Sequence, residues 1–342
     1  MRAVLVCLIL LSCNPSPNLL NTAFIERMPS VSSGNVYRLE LRGGWIGYYA
    51  TQSLALKSDC VKRAVIVVHG ANRNADDYFR YMSDAVSIAG KTLETFVIAP
   101  HFKTEEDTLG EGEVFWTSQG WRKGNLDQIG KNLSAYDFIN QIMNELESKF
   151  PNLNDLVLTG HSAGGQLTQR FTAVGSKARK IKVRYIPSNL SSYMYFDEIR
   201  PTPNGMKYPW VRGDNGDLHL SKEFELTDSS CERTYNDYKY GLEQRNTVGL
   251  NNPTDIIKVK YLVSDTTYFL GEADTEINDW VDTSCEAMLQ GSNRYERGLG
   301  FYQYIKQRYP HAEHKLVVVP GVAHSAKEMY QSKQGINLLF FN

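Results

Sequence analysis

The feature that most constrains the fold is a tight turn centred on Ser162. Residues 156–159 form a short apolar run typical of a buried strand, and the chain then reads Gly-His-Ser-Ala-Gly at 160–164 before a helix-like segment. A serine that protrudes from so sharp a strand-to-helix turn needs small residues two positions before and after it, and these are Gly160 and Gly164. The sequence therefore predicts a reactive serine hydroxyl beside a helix N-terminus, whose free N–H groups favour negative charge.

Strand-like and helix-like segments alternate along most of the remaining chain. Residues 64–68 are a continuous apolar run suited to a strand buried on both faces, and residues 76–89 carry apolar side chains at helical spacing. Further strands are predicted at 36–41, 45–54, 95–99, 183–186, 268–270 and 316–319, and further helices at 134–150, 165–174, 294–309 and 325–339. This alternation favours an α/β fold with a mainly parallel twisted sheet and helices on both faces.

Residues 191–255 interrupt the alternation. They are rich in Tyr, Asn, Asp, Pro and Gly and have no clear periodicity. Residues 103–132 also lack a clear periodicity and are predicted to form a long loop. We interpret 191–255 as an insertion that caps the sheet within a single domain spanning 34–342.

The N-terminal residues have the pattern of an export signal. One positive charge at Arg2 precedes nine apolar residues at 3–11, a run too short to span a bilayer, so residues 1–12 are predicted to be a signal peptide. Leu-Leu-Ser-Cys at 10–13 also resembles a lipobox, with cleavage before Cys13 and lipidation of its sulfur. The alternative is a plain signal peptide in which Cys13 has no role. Residues 13–33 are predicted to be a flexible tether, and the protein is expected in the periplasm, at the outer membrane or outside the cell.

Composition narrows the classes of partner. Apolar residues make up 42% of the chain and charged residues 22%, which is enough for a large core, and the net charge is -1. There is no electrostatic case for binding nucleic acid or an acidic membrane, so membrane contact is expected only through a lipid anchor. No Cys/His cluster has zinc-ligand spacing, and we expect no metal and no cofactor.

Four blocks of sequence resemble the α/β-hydrolase superfamily over about residues 36–340. They are Val-Val-His-Gly at 67–70, Gly-His-Ser-Ala-Gly-Gly at 160–165, Phe-Leu-Gly-Glu-Ala-Asp at 269–274 and Pro-Gly-Val-Ala-His at 320–324. Within the superfamily the chain is similar to a little-characterised branch of secreted hydrolases, by Gly-His-Ser-Ala-Gly-Gly-Gln, by Ser191-Ser192-Tyr193 and by the block from Gln290 to Arg294. This resemblance implies a mechanism more than a substrate.

The superfamily order of nucleophile, acid and histidine implies a triad of Ser162, Asp274 and His324. Asp274 lies four residues past the predicted strand 268–270, and His324 follows the predicted strand 316–319. Other carboxylates near Asp274 fit the position less well, because they lie before the strand, too near its end or too far along the loop: Asp265, Glu272, Asp279 and Asp282.

The resemblance also implies an oxyanion hole made of two backbone N–H groups. One belongs to Ala163, directly after the serine. The second comes from the turn after the strand 64–68, where Ala71 is the first choice and Asn72 the second.

Aromatic residues and cysteines complete the predicted site. Five aromatic side chains either line a substrate pocket or pack within the cap: Trp116, Trp121, Tyr193, Tyr195 and Trp210. In an exported protein one disulfide is expected among Cys60, Cys231 and Cys285. We favour Cys231–Cys285, which would pin the cap near the acid loop and leave Cys60 as a buried free thiol.

Together these observations predict an exported serine hydrolase that cleaves small or polymeric carboxylic esters through an acyl-enzyme. Two alternatives remain open: a peptidase or amidase with the same triad, and a non-catalytic protein that uses the same scaffold for binding.

Overall fold

The computed structural model describes residues 36–201, 210–212, 218–220, 225–226, 231 and 234–341. The strands are β1 (Val36–Leu41), β2 (Gly44–Ala50), β3 (Arg63–Val68), β4 (Thr95–His101), β5 (Lys103–Thr104), β6 (Phe115–Trp116), β7 (Asp155–His161), β8 (Val183–Ser188), β9 (Ile199–Arg200), β10 (Trp210–Arg212), β11 (Leu218–Leu220), β12 (Glu225–Leu226), β13 (Asp265–Gly271) and β14 (Lys315–Val319). The helices are α1 (Ala75–Ile88), α2 (Gly120–Lys123), α3 (Ala135–Lys149), α4 (Ala163–Arg170), α5 (Thr247–Leu250), α6 (Thr254–Leu262), α7 (Cys285–Met288), α8 (Arg294–Arg308), α9 (Ala326–Gln331) and α10 (Lys333–Phe340).

Eight of these strands form one mainly parallel sheet in the order β1-β2-β4-β3-β7-β8-β13-β14. The six strands from β4 to β14 in that order run parallel, and β2 and β1 add an antiparallel edge. The central strands are long apolar runs because helices cover both of their faces, and in β3 every residue after Arg63 is buried. The predicted α/β architecture with a mainly parallel sheet is confirmed.

Helices cover the sheet on both faces and create two cores. On one face α1, α9 and α10 pack against the sheet through residues such as Phe79, Met82, Tyr330 and Leu339. On the other face α3, α4, α6 and α8 contribute residues such as Phe138, Leu167, Tyr261 and Phe301. Each such buried side chain stabilises the fold by about 1.5–3 kcal/mol relative to an exposed one, so these helices hold the strand ends in place.

Several helical regions differ from the prediction. Helix α6 was not predicted, because Ile256 and Val259 are 48% and 57% exposed and blur the apolar face formed by Ile257 and Tyr261. The single helix predicted at 325–339 is two helices, since Ser332 is extended at φ -65° and ψ 157° and its hydroxyl caps α10. The predicted loop 103–132 also contains α2 and the short β5–β6 pair.

The insertion at 191–255 is described only in part. Its described residues form the short pairs β9–β12 and β10–β11, a 3₁₀ turn at Thr234–Asn236 and helix α5. Trp210 lies on β10, but its side chain is outside the described part of the structure. The predicted signal peptide, the tether at 13–33 and Cys13 also lie outside the described residues. Within the described ranges, no helix is long and apolar enough to cross a membrane.

The cysteines confirm one prediction and correct another. Cys231 and Cys285 form a disulfide across a sequence separation of 54 residues, which joins the insertion to α7 beyond the acid loop. Cys60 is half-buried and is also disulfide-bonded, so the expectation of a buried free thiol is wrong. The prediction failed because it placed only one disulfide in an oxidised chain.

Candidate active site

Ser162 occupies a strained turn between β7 and α4. Its backbone has φ 59° and ψ -117°, a conformation that L-residues rarely adopt, and its N–H donates to the carbonyl of Ser188 at 2.9 Å. A Cβ on Gly160 would lie 2.4 Å from the Gly164 carbonyl, and a Cβ on Gly164 would lie 2.3 Å from the Val68 carbonyl. The turn therefore accepts no side chain at either glycine, as the sequence pattern predicts.

Asp274 and His324 meet although 50 residues separate them. His324 Nδ1 lies 2.6 Å from Asp274 Oδ2, with the carboxylate 1% exposed and the imidazole 26% exposed. Parallel strands place both at one edge of the sheet, because Asp274 follows β13 and His324 follows β14. In the tautomer with hydrogen on Nδ1, the imidazole donates to the carboxylate and presents Nε2 as a proton acceptor.

The competing carboxylates are engaged elsewhere. Glu272 accepts a hydrogen bond from the Gly321 N–H at 3.1 Å, Asp282 pairs with Lys239 at 2.6 Å, and Asp265 pairs with Lys182 at 2.9 Å. Asp279 is exposed to solvent. Among the carboxylates considered from the sequence, Asp274 is the one that the structure brings to His324.

Two backbone N–H groups border the serine from separate elements. Ala163 is the first residue of α4, and Ala71 lies in the turn after β3; neither N–H forms a hydrogen bond within the described part of the chain. Arg73 steadies that turn, donating from Nη1 to the Ala71 carbonyl at 3.0 Å and from Nε to Asp107 at 2.6 Å. Asn72, the second choice for the donor, lies beside Ala71 in the same turn.

His69, at the end of β3, packs beneath the same turn on the side of the core. Its ring lies 4.8 Å from that of Trp121, and its Nε2 accepts a hydrogen bond from the Phe102 N–H at 3.0 Å. Burial, reinforced by the nearby His101, lowers the pKa of His69 to about 3, so it is a neutral structural residue at neutral pH.

His161 packs directly against His324, which sequence reasoning missed. The ring centroids of His161 and His324 lie 4.4 Å apart. Burial, followed by the charges of His324 and Arg294, lowers the pKa of His161 well below its usual value. Asn189 joins this residue to the acid loop: its Nδ2 lies 3.2 Å from His161 Nε2, and its Oδ1 accepts the Gly271 N–H at 2.8 Å.

A cavity of about 320 Å³ opens in front of Ser162 and His324. Tyr78 and Tyr81 of α1 and the exposed Trp280 supply its aromatic surface, and Asn72, Asn74 and Lys327 are among its polar lining residues. Sequence reasoning missed all three aromatic residues, because Tyr78 and Tyr81 look like one face of a helix and Trp280 stands alone in a loop.

Four of the five aromatic residues named for the pocket lie in the core instead. Trp116, Trp121, Tyr193 and Tyr195 are each 0% exposed, and none of them lines the cavity. Trp116 packs edge-on against Phe102, and Tyr193 stacks on Phe301. The correction has a simple cause: a large aromatic side chain is stabilised equally well by a core and by a pocket, and the sequence does not say which surrounds it.

The described residues contain no group of three or more His, Cys, Asp or Glu placed to hold a metal ion.

No protein-family model matches the chain, and a search of curated proteins found no match. Solved structures do match. Poly(aspartic acid) hydrolase-1 from Sphingomonas sp. KT-1 superposes with a TM-score of 0.60 at 23% identity, over 90% of this chain and 98% of that one.

A second similar structure is LpqC, the poly(3-hydroxybutyrate) depolymerase from Bordetella parapertussis. It superposes with a TM-score of 0.56 at 17% identity, over 90% of each chain. With the strand order described above, these likenesses establish that the chain has the α/β-hydrolase fold, as the sequence resemblance predicts.

Proposed function

We propose that this protein is a serine hydrolase that cleaves carboxylic esters through an acyl-enzyme, with Ser162, His324 and Asp274 as its triad. The observation that carries the proposal is the convergence of three chain segments: the strained Ser162 turn and His324 border one cavity, and Asp274 lies 2.6 Å behind His324. A structural serine has no need of that backbone strain, whereas a nucleophile must protrude from its turn.

The first half of the reaction forms the acyl-enzyme. Ser162 Oγ attacks the ester carbonyl carbon as its proton passes to His324 Nε2, and Asp274 stabilises the resulting imidazolium. The N–H groups of Ala163 and Ala71 donate to the oxyanion, each contributing roughly 3 kcal/mol. The bond from carbon to the leaving oxygen then breaks, and the His324 proton moves to the departing alkoxide.

The second half returns the enzyme to its starting state. Water attacks the acyl carbon and gives a proton to His324 Nε2, and a second tetrahedral intermediate forms in the same oxyanion hole. Collapse breaks the bond to Ser162 Oγ, which regains the proton from His324, and the carboxylic acid leaves. All groups in this cycle belong to the chain or to the ester and water.

An ester is favoured over an amide as substrate because an alkoxide leaves with less assistance from a proton donor than an amine. The fold accommodates both chemistries, since the similar structures act on poly(aspartic acid) and on poly(3-hydroxybutyrate). Export is supported by the Cys231–Cys285 disulfide, because disulfides persist in oxidising compartments.

A fluorophosphonate probe tests the nucleophile. We expect the purified protein to be labelled at Ser162 and the Ser162→Ala variant to be unlabelled. Ser325→Ala is the matched control, because Ser325 lines the same cavity, and this variant should keep its labelling. Labelling that survives in Ser162→Ala would overturn the assignment, and an unlabelled wild type would favour a non-catalytic binding protein.

A substrate panel tests the ester preference. Acyl esters of increasing chain length, aryl esters and peptide amides should be compared by kcat/KM with the wild type and Ser162→Ala. We expect turnover of esters that is lost in the variant. Turnover restricted to amides would replace the proposed reaction by amide hydrolysis.

A further inference from the structure

The proposed triad leaves unexplained the buried charge that lies directly beside its acid. Arg294, the first residue of α8, has a fully buried side chain, and its Nη1 lies 3.4 Å from Asp274 Oδ1. The two oxygens of Asp274 are thus divided, with Oδ2 facing His324 and Oδ1 facing Arg294. Arg294 ends the Gln-Gly-x-x-Arg block that the sequence resemblance singled out and that the proposed reaction does not use.

The block around Arg294 is firmly attached to the acid loop. The Tyr295 N–H donates to the Asp274 carbonyl at 3.2 Å, and Asn293 caps α8 by accepting the Glu296 N–H at 3.0 Å. Gln290 exchanges two hydrogen bonds with the backbone of Tyr193, at 2.7 and 2.8 Å. The start of α8 therefore holds both the backbone and the side chain of the acid.

Burying the Arg294 side chain costs folding free energy. Its Nε and Nη2 atoms are buried and form no hydrogen bond with the described residues. Burial lowers the pKa of Arg294, while the Asp274 carboxylate acts in the opposite direction, and a guanidinium remains charged throughout. A buried arginine used only for packing would be expected to satisfy more of its five donors, so its charge and its pairing with Asp274 call for another explanation.

We propose that Arg294 is a positioning residue for the acid of the triad: it fixes Oδ1 of Asp274 so that Oδ2 faces His324. The inference rests on the proposed function.

Other groups face this pair and belong to the same balance of charge. His161 at the end of β7 packs on His324, and Lys327 of α9 lines the cavity with it. Tyr193 lies near Asp274, and Glu276 lies near Arg294. Tyr78 of α1 borders the cavity and approaches His161. Arg294 is the cation that contacts the acid itself.

The test compares Arg294→Met with the wild type in ester hydrolysis across pH. We expect the acid limb of kcat/KM to move to higher pH, since a cation beside the pair is lost. At the pH plateau kcat should fall by about 10- to 100-fold, and KM should change by less than about threefold, because the loss concerns orientation in the reaction. Arg294→Lys keeps the charge and should keep the wild-type midpoint with a reduced kcat.

Arg297→Met is the matched control. Arg297 lies one turn further along α8 with an equally buried side chain, and its guanidinium donates to the carbonyls of Gly291 and Ser191. This variant should lose stability without a shift of the acid limb. Thermal denaturation gives the folded fraction, and Arg294→Gln, also uncharged, takes the place of Arg294→Met if that variant is recovered unfolded.

The outcomes separate this inference from the proposed function. An unlabelled wild type overturns the proposed function. If the probe labels the wild type but an uncharged Arg294 variant keeps the wild-type acid limb and kcat, the role of Arg294 is overturned and the proposed function stands. An equal shift in Arg297→Met would also overturn it, because the effect would then follow from any lost buried arginine.

Discussion

At the scale of single residues, the site depends on two glycines, because positions without a side chain let backbone segments approach closely. The backbone carbonyls of Val68 and His69 approach α4 so closely that Gly164 has no room for a methyl group, and Gly160 is blocked by Gly164 in turn. This contact brings the turn that carries Ala71 next to the helix that carries Ala163. The glycines of the pattern thus fix the distance between the two proposed oxyanion donors as well as the serine turn.

We expect Gly164→Ala to be destabilising by about 2–3 kcal/mol, although alanine is the better helix former, because its Cβ would lie 2.3 Å from the Val68 carbonyl. The fluorophosphonate labelling rate should fall with stability, since the oxyanion turn must shift. Urea unfolding and labelling kinetics measure the two effects. Gly300→Ala is the control, since its nearest neighbours would lie at an ordinary 3.5 Å. Equal stability and reactivity of the two variants would contradict the prediction.

At the scale of elements, the acid loop is held from both ends. Helix α8 binds Asp274 through backbone and side chain, and helix α7 is joined to the insertion by the Cys231–Cys285 disulfide. Thr234 adds a hydrogen bond to Glu286 of α7 at 2.6 Å. The loop that carries the proposed acid therefore depends on the insertion for part of its rigidity.

The double variant Cys231→Ser/Cys285→Ser should lose about 4 kcal/mol of unfolding free energy, the chain-entropy value for a cross-link that spans 54 residues. Urea unfolding under oxidising conditions measures the loss. Thr234→Val is the control, because it removes the neighbouring hydrogen bond and keeps the disulfide, and it should cost about 1 kcal/mol. A double variant within 1 kcal/mol of the wild type would show that the disulfide adds little.

At the scale of the whole molecule, the parallel sheet concentrates the chemistry at one edge and buries neutral histidines inside. Ser162, Asp274, His324 and Ala71 all follow the carboxyl ends of parallel strands. Within the core, His314 is bonded to Tyr268 and to the Tyr261 carbonyl, both at 2.9 Å. Burial lowers the pKa of His314 to about 4, as it lowers that of His69 to about 3.

These histidines predict that stability falls as pH falls below about 6.5. The unfolded chain protonates them near pH 6.5 and the folded chain only at lower pH, so their contribution is complete above pH 6.5 and is lost toward their folded pKa. For His314, with a pKa of about 4, the contribution reaches about 3 kcal/mol. Urea unfolding between pH 5 and 8 measures it, in a range above the titration of most carboxylates.

The variant His314→Gln separates the contribution of a buried histidine to the pH dependence of stability from that of an exposed one. It should flatten the dependence of unfolding free energy on pH, whereas His311→Gln, at an exposed position of the same loop, should keep the wild-type slope. Equal slopes for the two variants would mean that His314 is not a source of the pH dependence.

The sequence by itself determined the local geometry: alternating strands and helices, the glycine-bounded turn at Ser162, and the order in which Asp274 and His324 follow it. These are patterns within a few residues, governed by periodicity and backbone sterics. It did not reveal α6 or the break at Ser332, where exposed apolar residues and a local cap alter the periodicity.

Only the tertiary structure decided which residues surround the triad. His161, Asn189 and Arg294 reach Asp274 and His324 from β7, from the loop after β8 and from α8, and no spacing in the sequence encodes those contacts. In the same way Trp116 and Trp121 lie in the core while Trp280 borders the cavity. The physical reason is that burial and ion pairing depend on how distant elements pack, whereas a strained turn is set by the residues that form it.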